Sequence, residues 1–136
     1  MADYIVHKAV EIDSLSNKQL QALAEHSGWV VMPKYDGCHA VICFDDGVHV
    51  NTYSRTGETV HSLNHIARAL PDHYDFLKNG QWAICGEAWN PGLEFNEISG
   101  QFRRHDPNAT DLYFVPFDVV PWGYNTDTTS APVVYL

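Results

Sequence analysis

Residues 40–54 constrain the fold more than any other stretch. Ala40 to Phe44 (AVICF) is a continuous β-prone apolar run, Asp45-Asp46-Gly47 is a turn signal, and in Val48 to Ser54 the residues Val48, Val50 and Thr52 alternate with His49, Asn51 and Tyr53. Two such runs bracketing a DG turn predict an antiparallel hairpin. Trp82 to Trp89 (WAICGEAW), closed by Asn90-Pro91-Gly92, reads as a further strand, and Leu112 to Val120 (LYFVPFDVV) as a last one with Pro116 inside it. Trp29 to Lys34 (WVVMPK) is a short apolar run that suits a buried strand ending near Lys34, with Pro33 pushing it toward an edge.

Between these runs the period changes. Leu20, Leu23 and Ala24 stand at helical spacing behind Ser16 and Asn17, and Gly28 stops the helix. Leu63, Ile66, Ala67 and Leu70 at i, i+3, i+4, i+7 predict an amphipathic helix over 61–70, closed by Pro71. A further helical turn or two over Asp72 to Lys78 stops at Asn79-Gly80. Residues 93–109 carry no clean period and read as a loop with a helical turn, and the stretch after Val120 is turn-rich. Strands and helices in mixed order, with hairpins instead of regular βαβ crossovers, predict a single α+β domain over 1–136: a mainly antiparallel sheet with flanking helices. No internal repeat or linker interrupts it.

Composition narrows the classes. Of 136 residues 45% are apolar and only 18% charged, which supplies a core and argues against disorder. No run approaches a membrane span, the first residues do not read as a signal peptide, and three cysteines without CxxC spacing fit reduced thiols. A cytoplasmic chain is therefore expected, with no membrane partner and no structural zinc site. Seventeen acids against eight Lys and Arg give a formal charge of -9, so any contact with nucleic acid must be local.

The segment richest in chemistry is Lys34-Tyr35-Asp36-Gly37, at the predicted end of a strand. A lysine amine becomes a nucleophile where its surroundings discourage charge. Asp36 is placed to orient it, and Gly37 would let the backbone turn close to a phosphate. Taken alone, the four residues are equally a surface lysine before a DG turn. Phe117 beside Val115 and Val119 could be core. Glu87 could be an edge-strand charge, Arg55 a turn residue, and Arg103-Arg104-His105 a solvated corner or a phosphate contact. His61 and His65, i and i+4, lack a third metal ligand in pattern.

Order and spacing change that reading. After KYDG come Ser54-Arg55-Thr56-Gly57, Gly86-Glu87-Ala88-Trp89 and Phe117-Asp118-Val119-Val120. This series resembles the ATP-dependent DNA ligases of the covalent nucleotidyltransferase superfamily, and Phe95 to Arg103 (FNEISGQFR) is similar to a stretch of small bacteriophage ligases. The resemblance covers roughly 29–121 and implies part of an ATP-grasp-like nucleotidyltransferase domain. It also implies roles. Lys34 would take AMP from ATP, helped by Asp36. Glu87 would bind the ribose, Phe117 would stack on the base, and Met32 and Pro33 would line the adenine pocket. Arg55 and Arg103 would meet DNA phosphates. The implied cofactors are ATP and Mg²⁺, and the implied partner is nicked duplex DNA.

Two departures stand out. Where the family motif continues to an arginine, this chain has His39, which is shorter and lacks the bidentate fork. No lysine follows Lys78 and no arginine follows Arg104, so the family's later lysine-bearing motifs and its OB-fold domain have no place in this sequence. The expectation is a partial adenylation domain, with no metal ligands of its own, that a complementary polypeptide or longer chain would complete. The alternatives are a non-catalytic ligase-like domain binding nucleotide, DNA or protein, and a relative of the mRNA-capping guanylyltransferases.

Overall fold

A computed structural model describes residues 11–44, 49–80 and 82–122. Four strands form one sheet: β1 (Cys38–Cys43), β2 (Asn51–Ser54), β3 (Trp82–Trp89) and β4 (Tyr113–Pro121). Their order is β2-β1-β3-β4 and every neighbouring pair is antiparallel. The hairpin forms as expected, with Ala40 opposite Ser54 and Cys43 opposite Asn51. Its turn, residues 45–48, lies outside the described residues.

Both faces of the central strands are covered, which explains why β1 and β3 read as continuous apolar runs. On one face Val41, Cys43, Tyr53, Ala83, Cys85, Val120 and Trp122 cluster, with the Tyr53 and Trp122 rings stacked 6.0 Å apart. On the other, Ala40, Val60, Leu63, Ala88, Ile98, Phe102 and Leu112 form a second core. Burying each large aliphatic there contributes about 1.5–3 kcal/mol. Two buried or half-buried hydrogen bonds tie this layer together: Ser62 Oγ donates to the Phe102 carbonyl at 3.0 Å, and His65 Nε2 lies 3.0 Å from the Leu112 carbonyl.

The first helix, α1 (Asn17–Glu25), opens on a capping box in which Ser16 and Gln19 satisfy each other's backbone donors. Two sequence expectations fail here. The predicted helix over 61–70 is two short ones, α2 (Asn64–Ala67) and α3 (Leu70–His73), and Pro71 opens the second instead of closing the first. A proline in the first helical turn costs no hydrogen bond and has the right φ. Residues 29–34 form no strand. Val31 is 98% exposed and Val30 is exposed too, so this apolar run lies at the surface without a place in the described sheet.

The segment read as a loop with one turn holds an eight-residue helix, α4 (Phe95–Phe102). Its capping box pairs Glu94 with Glu97, and Ile98 and Phe102, one turn apart, drop into the second core. Three more expectations hold. The helical stretch before Gly80 ends there in a left-handed residue (φ 73°). Trp82 to Trp89 is a strand, and so is the last run, over Tyr113–Pro121; the structure adds that it lies at the sheet edge, where Pro116 is tolerated.

Candidate functional site

The site is built at one end of the three strands β1, β3 and β4. His39 of β1 lies directly opposite Glu87 of β3. Strand alternation puts both on the face that carries Val41 and Cys85. Glu87 is on a central strand, which removes its reading as an edge-strand charge.

Phe117 reaches the same place through an irregularity. Cys85 pairs with Asp118 and Gly86 with Pro116, so Phe117 is the extra residue of a bulge in β4. A bulge bends its strand and re-aims a side chain. The ring stands 5.9 Å from the His39 ring and is 41% exposed, so Phe117 is not core. Tight packing at the bulge depends on Gly86, where a Cβ would stand 2.5 Å from both the Phe114 ring and the Val115 carbonyl oxygen.

Lys34 and Asp36 arrive on the loop that leads into β1. Two contacts hold that loop. The Tyr35 ring packs against Trp89 at 4.7 Å, and the Gly37 N–H donates to the Glu87 carboxylate. A Cβ on Gly37 would collide with the Ala88 carbonyl oxygen. The glycine thus serves a close approach of the loop to β3, a different need from the phosphate contact expected of it. Tyr35 and Trp89 were invisible as site residues in the sequence, although each lies inside a motif that was singled out there.

The electrostatics follow from this packing. Burial raises the Glu87 carboxyl above its ordinary range, while the Gly37 N–H and the nearby Lys34 charge pull it back and Asp36 adds to the rise. Burial, and then the Arg55 guanidinium, lower His39 to about 4, so its imidazole is neutral at pH 7. Arg55 sits exposed in the turn after β2. The structure therefore gathers Lys34, Asp36, His39, Arg55, Glu87 and Phe117 at one end of the sheet.

Met32 and Pro33 are exposed in the segment before Lys34. Arg103, at the C-terminal end of α4, comes from the other layer: its charge is felt at Cys38, which alternation places on the opposite face from His39. His65 is engaged with the Leu112 carbonyl, and the His61 ring meets that of His105 at a tilted angle. Among the described residues no group of three or more His, Cys, Asp or Glu side chains could hold a metal ion together. Nor is any described helix long and apolar enough to cross a membrane.

No protein-family model matches this chain, and no curated protein matches it. Solved structures are. An ATP-dependent DNA ligase from bacteriophage T7, in complex with ATP, superposes with a TM-score of 0.58 at 24% identity, over 85% of this chain and 42% of that one. Two structures described as Pmar-Lig_PreS3 and Pmar-Lig_Pre. superpose at 0.54 and 0.53, each at 23% identity over 66% of this chain and 21% of theirs. The chain thus spans less than half the length of each of these structures. The likeness shows the fold: this α+β sheet is one that ligase structures contain.

Proposed function

We propose that this chain is the N-terminal part of a ligase adenylation domain, bacteriophage type, and that it carries the lysine to which AMP becomes attached. The observation that supports this reading best is the convergence of Lys34, Asp36, His39, Arg55, Glu87 and Phe117, far apart in sequence, on one end of one sheet. A fold found in a DNA ligase bound to ATP is a second support.

In this reading the Lys34 amine, having given up a proton, attacks the α-phosphorus of ATP. A P–N bond forms, the bond to the β-phosphate oxygen breaks, and pyrophosphate leaves. Asp36 orients the amine. Glu87 accepts a hydrogen bond from a ribose hydroxyl, and its pull on Gly37 keeps the lysine loop against β3. The exposed face of Phe117 stacks on adenine, with Met32 and Pro33 beside it. His39, neutral and fixed against Phe117, walls the base pocket where the family motif has an arginine. Arg55 and Arg103 meet phosphates of a nicked duplex, the first by a guanidinium fork suited to that geometry. Mg²⁺ would travel on the triphosphate, screening charge with few protein ligands, as this ion commonly does.

A complementary polypeptide, or further chain, would supply the second wall around the phosphates. The exposed apolar run Trp29–Met32, outside the described sheet, is the natural place for such a piece to pair. The test is covalent labelling with ATP labelled at the α-phosphate, with and without the C-terminal part of a related ligase. Transfer to wild type but not to Lys34→Ala is expected. Label that persists in Lys34→Ala refutes the assignment of the nucleophile.

A further inference from the structure

Consecutive residues of β3 grip the lysine loop. Glu87 accepts the Gly37 N–H, the Ala88 carbonyl lies where a Cβ on Gly37 would stand, and the Trp89 ring meets Tyr35 at 4.7 Å with the planes tilted by 58°. Only Glu87 has a part in the chemistry proposed above. Within the loop, Lys34 and Asp36 are exposed, whereas Tyr35 and Gly37 are partly buried. Residues 29–33, which precede it, are exposed throughout. Lys34 therefore takes its backbone position from what Tyr35 and Gly37 touch. Its own flexible four-carbon stem adds freedom and fixes nothing.

Trp89 is well supported for such a task. It ends a central strand, opposite Tyr113 of β4, and packs against the second core. The turn behind it is tied down. Asn90 Nδ2 donates to the Asp111 carbonyl at 2.6 Å, the Gly92 N–H donates to Asn90 Oδ1 at 2.8 Å, and the Leu93 N–H donates to the Asn90 carbonyl at 3.2 Å. Asp111 leads directly into Leu112, buried in the same core. A tilted aromatic pair on this support is held by the attraction of ring edge for ring face as well as by contact.

We infer that Trp89 is a positioning residue for Lys34: through Tyr35 it sets where the loop rests on β3, and so where the amine stands when it attacks. The inference rests on the ligase reading above for the attack itself, and adds Tyr35 and Trp89 to the residues that govern its rate. Reacting atoms must come within about 3–3.5 Å in line, and a misplacement on the order of 1 Å costs about a hundredfold in rate. Neither ring touches the nucleotide in this reading. Their loss should slow the step and leave nucleotide binding nearly unchanged.

Two measurements on the full chain test this. Hydrogen exchange at the Gly37 amide needs no nucleotide. Trp89→Leu and Tyr35→Leu should each speed it severalfold, as loss of an aromatic pair predicts, and the double variant should exchange no faster than either. Tyr35→Leu removes the contact from the loop side, outside the core. Trp82→Leu, at the other end of β3, should change nothing at Gly37, and slow exchange at Ile42 in β1 establishes that each variant is folded. The second measurement is the rate at which ATP labelled at the α-phosphate labels Lys34, with the C-terminal part of a related ligase present. Both leucine variants should react about tenfold to a hundredfold more slowly at saturating ATP, with the half-saturating concentration unchanged, and Trp89→Phe and Tyr35→Phe should recover most of the rate. Wild-type exchange at Gly37 in both leucine variants overturns the inference, as does a wild-type labelling rate in them or a loss confined to half-saturation. Faster exchange at Gly37 with no label on wild-type Lys34 upholds the hold of Trp89 on the loop and refutes the ligase reading.

Discussion

Lowering the pH should destabilise this protein through one residue, His39. Its folded-state value of about 4 lies below the ordinary 6.5 because burial, and then Arg55, oppose a charged ring. The unfolded chain takes up a proton between these two values that the folded chain refuses. Stability is thus fully present above pH 6.5 and falls as the pH drops toward 4. At pH 5 the imbalance corresponds to a loss on the order of 2 kcal/mol relative to neutral pH, and below both values to about 3 kcal/mol. Against a total stability of about 5–15 kcal/mol this is readily measured. Urea unfolding of wild type and His39→Gln at pH 7 and pH 5 isolates the contribution, since carboxylates titrate alike in both. Wild type should lose the extra amount and the variant should not. Equal losses in the two proteins would show that His39 takes up its proton as freely in the fold as in the unfolded chain, and the description of this end of the sheet would be wrong. Arg55→Gln should recover a smaller part of the loss, because Arg55 is the lesser cause.

Three further outcomes are expected. Phe117→Ala should weaken nucleotide binding about tenfold or more, from the 1–3 kcal/mol that stacking on an aromatic face supplies, while Phe117→Tyr keeps it; comparable unfolding of both by thermal denaturation would return Phe117 to the core. Gly37→Ala should destabilise the chain by about 1–3 kcal/mol, because the new methyl meets the Ala88 carbonyl, a backbone atom that cannot turn aside; an unchanged melting temperature would refute the close approach. Glu87 carries a raised carboxyl, so ionising it costs stability once the pH passes the unfolded-state value. Glu87→Gln should therefore gain stability at neutral pH relative to acid pH while binding nucleotide less well, and a variant no steadier at pH 7 would contradict the burial of that carboxylate.

Much of this fold is legible in local patterns. The hairpin, the strand Trp82–Trp89 and the stop at Gly80 are each set by residues within a few positions, through turn chemistry and side-chain period. The sequence also names the residues of the site, since their types and order carry the resemblance to ligases. What it leaves open depends on partners distant along the chain. Trp29–Met32 has the composition of a strand, yet a strand exists only where another pairs with it, and the described sheet offers that run no neighbour. The 61–70 segment has a helical period, but Leu63 and Ala67 must reach the core beneath them and Pro71 starts a new turn, so one helix becomes two. Residues 95–102 look aperiodic because only Ile98 and Phe102 touch the core; the capping box, two glutamates three apart, was the available signal. Register sets the site itself: His39 faces Glu87 because β1 and β3 pair there, and Phe117 reaches them only because β4 carries one residue more than its partner. Local sequence supplies the side chains, and the pairing of strands decides which of them meet.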